Sequence, residues 1–233
     1  MNTLRLLGIQ VGTPRTFSMA EECDASHREW TTGFYKEPVT GPVRIARTNL
    51  AGDGQADLRN HGGPDKAICL YPRDHWLFWK AELGLELPHG AFGENFTTEG
   101  AVEAGVCIGD IFRCGTALLQ ISQPRQPCWK LARRWRIKDL AAKVERTGRT
   151  GWYFRVLEEG HVEPGTALDL LERLHPQWTV AAANDVMHQR KTDWEAARHL
   201  AACADLSESW KVSLARRAAT QTIAGAAPRL DGA

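Results

Sequence analysis

The 233-residue chain has no apolar run approaching the length of a membrane span, and its opening residues lack the apolar core and cleavage pattern of a secretory leader. A soluble, cytoplasmic protein with no membrane partner is the expectation. A charge excess of either sign is missing too. With 29 Lys and Arg against 28 Asp and Glu, no overall field marks nucleic acid as a partner, so any anion site has to be local. No Cys-x-x-Cys pair occurs, which argues against a zinc ribbon or an iron–sulfur cluster, and no Gly-x-Gly-x-x-Gly occurs to hold a nicotinamide dinucleotide. Six cysteines are dispersed along the chain (Cys23, Cys69, Cys107, Cys114, Cys128 and Cys203), and without a secretory context they read as thiols.

What is present is concentrated in Gln123-Pro-Arg-Gln-Pro-Cys-Trp-Lys130. Pro124 and Pro127 fix their own φ and push the preceding residues toward extended geometry, so the segment is a stiff hook and not a helix or central strand. It follows an apolar run, residues 116–122, that reads as a buried strand, and precedes a helical pattern over 131–135. Cys128 therefore sits between a strand's end and a helix's start. From Arg125 to Lys143 the cations Arg125, Lys130, Arg133, Arg134, Arg136, Lys138 and Lys143 face the single acid Asp139. Nearby cations and a helix start favour the thiolate, the form that attacks or binds metal. A buried structural cysteine is the competing reading.

Two further segments are dense in chemistry. In Asn60-His-Gly-Gly-Pro-Asp-Lys-Ala67 the glycines let backbone approach a ligand, their N–H groups can cradle an oxyanion and Lys66 adds charge; a plain Gly-Pro turn uses the same residues. In Ala91-Phe-Gly-Glu-Asn-Phe-Thr-Thr-Glu-Gly100, Glu94, Asn95 and the threonines offer polar groups to a ring system, as they would to a well-bonded turn. Asp53 and Asp57, in the acidic loop 50–57, lack the further oxygen ligands of a calcium loop and read as turn-forming.

The remaining pattern gives the architecture. Residues 4–11 read as a strand, 13–42 as an irregular connection or lid, 42–47 as a half-buried strand and 67–71 as a buried one. Residues 72–83 form a helix closed by Gly84, with Trp76, Trp79 and Leu83 facing the core and His75 packed or solvent-facing beside them. Residues 105–113 and 116–122 make a hairpin through Cys114-Gly115, with Cys107 and Cys114 as core residues. A helix over 137–148 and strands over 151–157 and 166–171, around a Glu-Glu-Gly turn, follow. Near His175 the period changes: 179–189, 192–203 and 207–219 read as three short helices, the second opened by the capping box Thr192-Asp-Trp-Glu195. The expectation is a mainly β (α+β) protein, with a β-barrel domain over 1–174, a three-helix unit over 175–223 and a frayed tail over 224–233.

His61-Gly-Gly-Pro-Asp-Lys66, Phe92-Gly-Glu-Asn95, Gly109-Asp-Ile-Phe112 and the Cys128 hook, in this order, resemble the MOSC domain, in its bacterial YiiM branch, and the three-helix tail fits that branch. The resemblance implies a β-barrel that binds the molybdenum cofactor, with Cys128 as the protein's own metal ligand, as a soft thiolate suits a soft metal. It implies that Arg125 and Lys66 neutralise the pterin phosphate, with Lys130 beside them. Gly62 and Gly63 would offer backbone N–H groups, and Asn95 and Glu94 would meet the pterin edge. His61 would orient the phosphate or shuttle a proton, acting with Cys128 in catalysis.

The implied reaction reduces small N-hydroxylated compounds (hydroxylaminopurines, amidoximes, hydroxylamines) with electrons from a separate flavin or haem reductase. A homodimer is compatible with this reading. Two alternatives stay open: Cys128 as a sulfur carrier through a persulfide, or a cofactor binding and delivery module without turnover. A zinc site from Cys128 with His61 or His75 is a third and matches no standard ligand spacing.

Overall fold

The computed structural model describes residues 4–18 and 29–231, so Cys23 lies outside the described residues. The strands in chain order are β1 (Leu4–Val11), β2 (Arg15–Ser18), β3 (Glu29–Thr32), β4 (Glu37–Pro38), β5 (Val43–Ile45), β6 (Ile68–Pro72), β7 (Phe96–Glu99), β8 (Ile111–Cys114), β9 (Ala117–Pro124), β10 (Trp152–Glu158), β11 (Gly160–Val162) and β12 (Ala167–Glu172). Seven of them close a barrel in the order β12-β8-β9-β10-β6-β7-β1, with β1 pairing back onto β12 through Leu4 and Leu168. Closure leaves none of the seven as an open edge. The pairing of β6 with β7 is parallel and needs a crossover, which helix α2 (Trp76–Leu83) supplies after a single 3-10 turn. Gly84 ends α2 in the left-handed region at φ 68°, where a Cβ is penalised.

Alternation fills the interior: Leu6, Ile9, Ile68, Leu70, Phe96, Leu119, Ile121, Trp152 and Phe154 are all fully buried in one cluster. At roughly 1.5–3 kcal/mol per buried large apolar side chain, this cluster dominates the favourable side of folding. The same cluster runs on into the C-terminal helices through Val180, Ala183, Leu200, Trp210 and Leu214. Those helices are α5 (Val180–Asn184), continued by a π turn to Gln189, α6 (Trp194–Ala201) and α7 (Glu208–Thr220). Polar ties reinforce the junction: Asn184 Nδ2 donates to Thr150 Oγ1 at 2.8 Å, and the Ser207 N–H to the Ser122 carbonyl at 2.8 Å.

The barrel and the three helices follow the sequence pattern, and five details differ. The connection 13–42 is not wholly irregular: β2 and β3 form a hairpin whose Phe17 and Trp30 rings pack against Tyr35. Residues 105–110 are a turn and not strand, because the buried Asp110 carboxylate takes the Cys107 N–H at 2.9 Å while pairing with Arg173. The Glu-Glu-Gly turn carries β11, which pairs with the distant β5. Asp193, not Thr192, caps α6, accepting the Ala196 N–H at 2.9 Å. The tail is not frayed throughout, since residues 227–231 form α8 (Ala227–Asp231).

Candidate functional site

β9 delivers the chain to the hook at Pro124, and the Arg125 N–H donates to the Gly151 carbonyl at 3.0 Å, fixing the hook's entry to the start of β10. Its exit is helix α3 (Lys130–Trp135), whose Leu131 N–H bonds the Cys128 carbonyl at 3.0 Å. Cys128 lies between these two anchors and is 6 % exposed. It lines a small inner cavity of about 60 Å³ together with Cys69, His61, Lys66, Asn95, Arg125, Lys130 and Tyr153. It also lines an adjoining chamber of about 1050 Å³.

The second segment arrives by two short turns. Helix α1 (Leu58–His61) starts at Asp57, whose carboxylate accepts the Arg59 and Asn60 N–H groups, and a 3-10 turn over Pro64–Lys66 follows. Gly63 has φ 93° and open space where a Cβ would sit, so the left-handed backbone alone selects glycine there. Asp53 likewise serves structure, accepting the Gly12 N–H at 2.9 Å and pairing with Lys36.

Charge in the inner cavity is one-sided. Burial pushes His61 down to about 4, with Lys130, Lys66 and Arg125 adding to the effect against Asp57, so its imidazole is neutral near pH 7. Burial also lowers the Lys66 pKa, while its Nζ donates to the Asn60 carbonyl at 2.8 Å. Arg125 is 5 % exposed, and its Nη1 has no hydrogen-bond partner among the described residues. Burial opposes its charge, yet Cys69, Tyr153, Cys128 and Glu94 nearby raise its pKa. A buried guanidinium nitrogen without a partner is costly, and an ordered water or an anionic ligand satisfies it, the anion matching its charge as well.

Six of the sequence-derived site residues thus meet at one cavity: Cys128, His61, Lys66, Asn95, Arg125 and Lys130. Three do not line it. Glu94 is fully buried and closes its own turn, accepting the Gly90 N–H at 2.6 Å, the Phe92 N–H at 2.9 Å and the Thr97 hydroxyl at 2.9 Å. Gly62 and Gly63 are outside the lining of both spaces, although the turn they form carries Lys66 into it. Asn95 reaches the cavity with its amide already used, Oδ1 accepting from Cys69 N–H at 3.1 Å and Nδ2 donating to the Gln10 carbonyl at 3.2 Å. His75 lines neither space and sits 2.7 Å from Glu103, which removes the Cys128–His75 zinc pairing.

Several lining residues were not singled out by the sequence. Cys69, on β6, faces the inner cavity, and burial raises its pKa. Tyr153 is the first outward position after Trp152 on β10, and burial raises its pKa as well. The chamber's walls include residues from distant parts of the chain, among them Trp30 from β3, Trp129 from the hook, Arg133 from α3, Trp210 from α7 and Arg229 from α8. Trp30 and Trp129 meet at 5.5 Å between ring centroids, and the Arg133 guanidinium lies 4.4 Å from the Trp129 ring.

Residues 57–169 match the MOSC domain, and residues 178–221 match the YiiM-like 3-alpha helix domain. The chain is 46% identical over 212 residues to protein YflK of Bacillus subtilis, covering 91% of this chain and 93% of that protein. The crystal structure of YiiM from Geobacillus stearothermophilus superposes with a TM-score of 0.77 at 37% identity, covering 92% of this chain and 99% of that one. A Gibberella moniliformis protein named "Reductase" is 39% identical over 166 residues, which are 70% of this chain and 29% of that protein. With both its barrel and its helical unit matched in sequence and in structure, the chain belongs to the YiiM branch of the MOSC-domain proteins.

Proposed function

We propose that the chain binds the molybdenum cofactor across the inner cavity and the adjoining chamber, which share Cys128, His61, Lys66 and Lys130, and there reduces small N-hydroxylated compounds. The observation that carries this reading is the buried Arg125 guanidinium, one nitrogen unpartnered, beside the Cys128 thiol in a cavity that Lys66 and Lys130 also line. The residues fit the group: guanidinium and ammonium suit a phosphate, and a thiolate suits a soft metal. On this reading Arg125, Lys66 and Lys130 hold the phosphate and Cys128 ligates the metal. When bound, the cofactor supplies a two-electron redox centre.

Reduction of an N-hydroxylated amine consumes two electrons and two protons and releases water. Solvent supplies both protons, since Lys66, which lines both spaces, is committed to the phosphate. His61, neutral near pH 7, accepts a hydrogen bond that orients the substrate's N–OH group. Tryptophans 30, 129 and 210 give the chamber an apolar wall for the substrate body. Electrons come from a separate flavin or haem reductase, because the chain carries no dinucleotide fingerprint of its own. The fungal relative's name supports the reductase class, and this chain spans 29% of that protein.

The test is elemental analysis of protein from a cofactor-competent host, beside Cys128→Ser and protein from a cofactor-deficient host. Near-stoichiometric molybdenum, lost in both controls, together with reduction of a hydroxylamine by reduced flavin or haem protein, is expected. Absence of molybdenum with sulfane sulfur on Cys128 overturns the reading in favour of a sulfur carrier.

A further inference from the structure

The chain returns to the hook from more than a hundred residues downstream. After α7, residues 222–225 run exposed over the surface, and α8 then brings Arg229 against the segment that holds Cys128. The Trp129 N–H donates to the Arg229 carbonyl at 2.9 Å. The Arg229 guanidinium donates to the Pro127 carbonyl with one nitrogen and to the Glu145 carboxylate with another. Pro127 and Trp129 are the two neighbours of Cys128 in the chain. One residue therefore grips the backbone on both sides of the thiol.

The grip has a fixed base. Glu145 is 9 % exposed on helix α4 (Leu140–Thr147) and also faces His188, whose Nδ1 is 3.3 Å away. Burial works against its charge, yet hydrogen bonds and charge from His188 and Arg229 hold the carboxyl at about 2. A carboxylate ionised at every ordinary pH gives the guanidinium a permanent anchor. The hook's own prolines stiffen it internally, but its known ties, at Arg125 and at Leu131, are at its two ends. Arg229 supplies the tie in between.

We infer that Arg229 is a positioning residue: it sets the orientation of Cys128 in the inner cavity by clamping Pro127 and Trp129 against Glu145. The inference rests on the reading of Cys128 as the functional thiol. Its residue lies outside both matched family segments, at 57–169 and 178–221, so the clamp is a feature of this chain's C-terminal segment.

The test uses full-length Arg229→Ala, Arg229→Lys and Glu145→Gln. Four quantities are measured: the rate at which iodoacetamide modifies Cys128, read by peptide mass spectrometry, molybdenum content, the kcat and KM of hydroxylamine reduction, and Tm. Loss of charge-assisted hydrogen bonds in Arg229→Ala should change the Cys128 modification rate by about fivefold or more, with Tm held within roughly 3 °C. In loaded protein kcat should fall by a similar factor with KM little changed, and Arg229→Lys and Glu145→Gln should fall between. An unchanged modification rate and kcat at unchanged Tm overturns the clamp. So does a change in KM alone, which would make Arg229 a chamber-wall contact, or a collapse of Tm that exposes Cys69 equally. If wild-type protein holds no molybdenum but Arg229→Ala still alters Cys128 reactivity, the clamp stands and the cofactor reading falls. The reverse pattern separates them the other way.

Discussion

His75 Nε2 and Glu103 Oε2 lie 2.7 Å apart in the interior, and the other Glu103 oxygen accepts the Gly151 N–H at 2.6 Å. Gly151 in turn accepts the Arg125 N–H through its carbonyl. A polar chain thus runs from the crossover after β6 to the first residue of the hook beyond β9. Glu103→Ala strands both a ring nitrogen and a backbone N–H in the interior. It should cost about 3 kcal/mol, seen as a fall in Tm on the order of 10 °C. Amide exchange at Arg125 should accelerate at the same time. An unchanged Tm would show that the pair does not brace the hook.

Arg125→Ala should behave in the opposite way. Its guanidinium carries a buried nitrogen with no hydrogen-bond partner among the described residues, so the side chain contributes little to the ligand-free fold and much to an anion complex. Affinity for a pterin or other organic phosphate, titrated calorimetrically, should fall about tenfold to a hundredfold, the equivalent of one or two charge-assisted bonds. Arg125→Lys should recover part of it, as a point charge without the planar fork. A large loss of Tm with unchanged phosphate affinity would make Arg125 a structural cation.

Much of this was legible because it is local in the sequence. The hook announces itself by two prolines and a run of cations within a few residues of Cys128, and the barrel strands by alternation. What stayed hidden depends on pairing at a distance. Cys69 and Tyr153 occupy ordinary strand positions, and only the pairing of β6 with β10, which sets the two opposite each other, decides that both line the cavity of Cys128. β11 has three residues and exists because β5, over a hundred positions earlier, is beside it. Glu94 misled in the other direction: its motif resembles a ligand-binding bend, but a carboxylate among the N–H groups of its own turn is consumed by them. Arg229 sits in a segment of small residues with no pattern at all.

His61 offers a pH test with a definite sign. Its folded pKa, about 4, lies below the ordinary 6.5, so the folded state resists protonation. The unfolded chain takes up that proton first, and stability is therefore lost as pH falls from about 6.5 toward 4. A phosphate bound among Lys66, Lys130 and Arg125 offsets the local positive field and should raise the His61 pKa. NMR titration of the His61 ring with and without inorganic phosphate reads both effects. A ring that titrates near 6.5 in the free protein contradicts its burial among the cations.

Cys69 and Cys128 give the last contrast. Both are 6 % exposed and both line the inner cavity, so exposure alone predicts equal reactivity. Cys128, however, also lines the 1050 Å³ chamber, whereas Cys69 lies only on the inner wall, where burial raises its pKa. A reagent entering through the chamber meets Cys128 first, and the thiol form of Cys69 is a poor nucleophile. At pH 8, iodoacetamide should modify Cys128 at least about tenfold faster than Cys69, and faster than Cys114, whose pKa burial pushes up to about 12. Bound cofactor should abolish the Cys128 modification, and Cys69→Ala should keep its molybdenum while Cys128→Ser loses it. Equal modification of the two thiols, or molybdenum lost with Cys69 alone, would move the ligand assignment from the hook to β6.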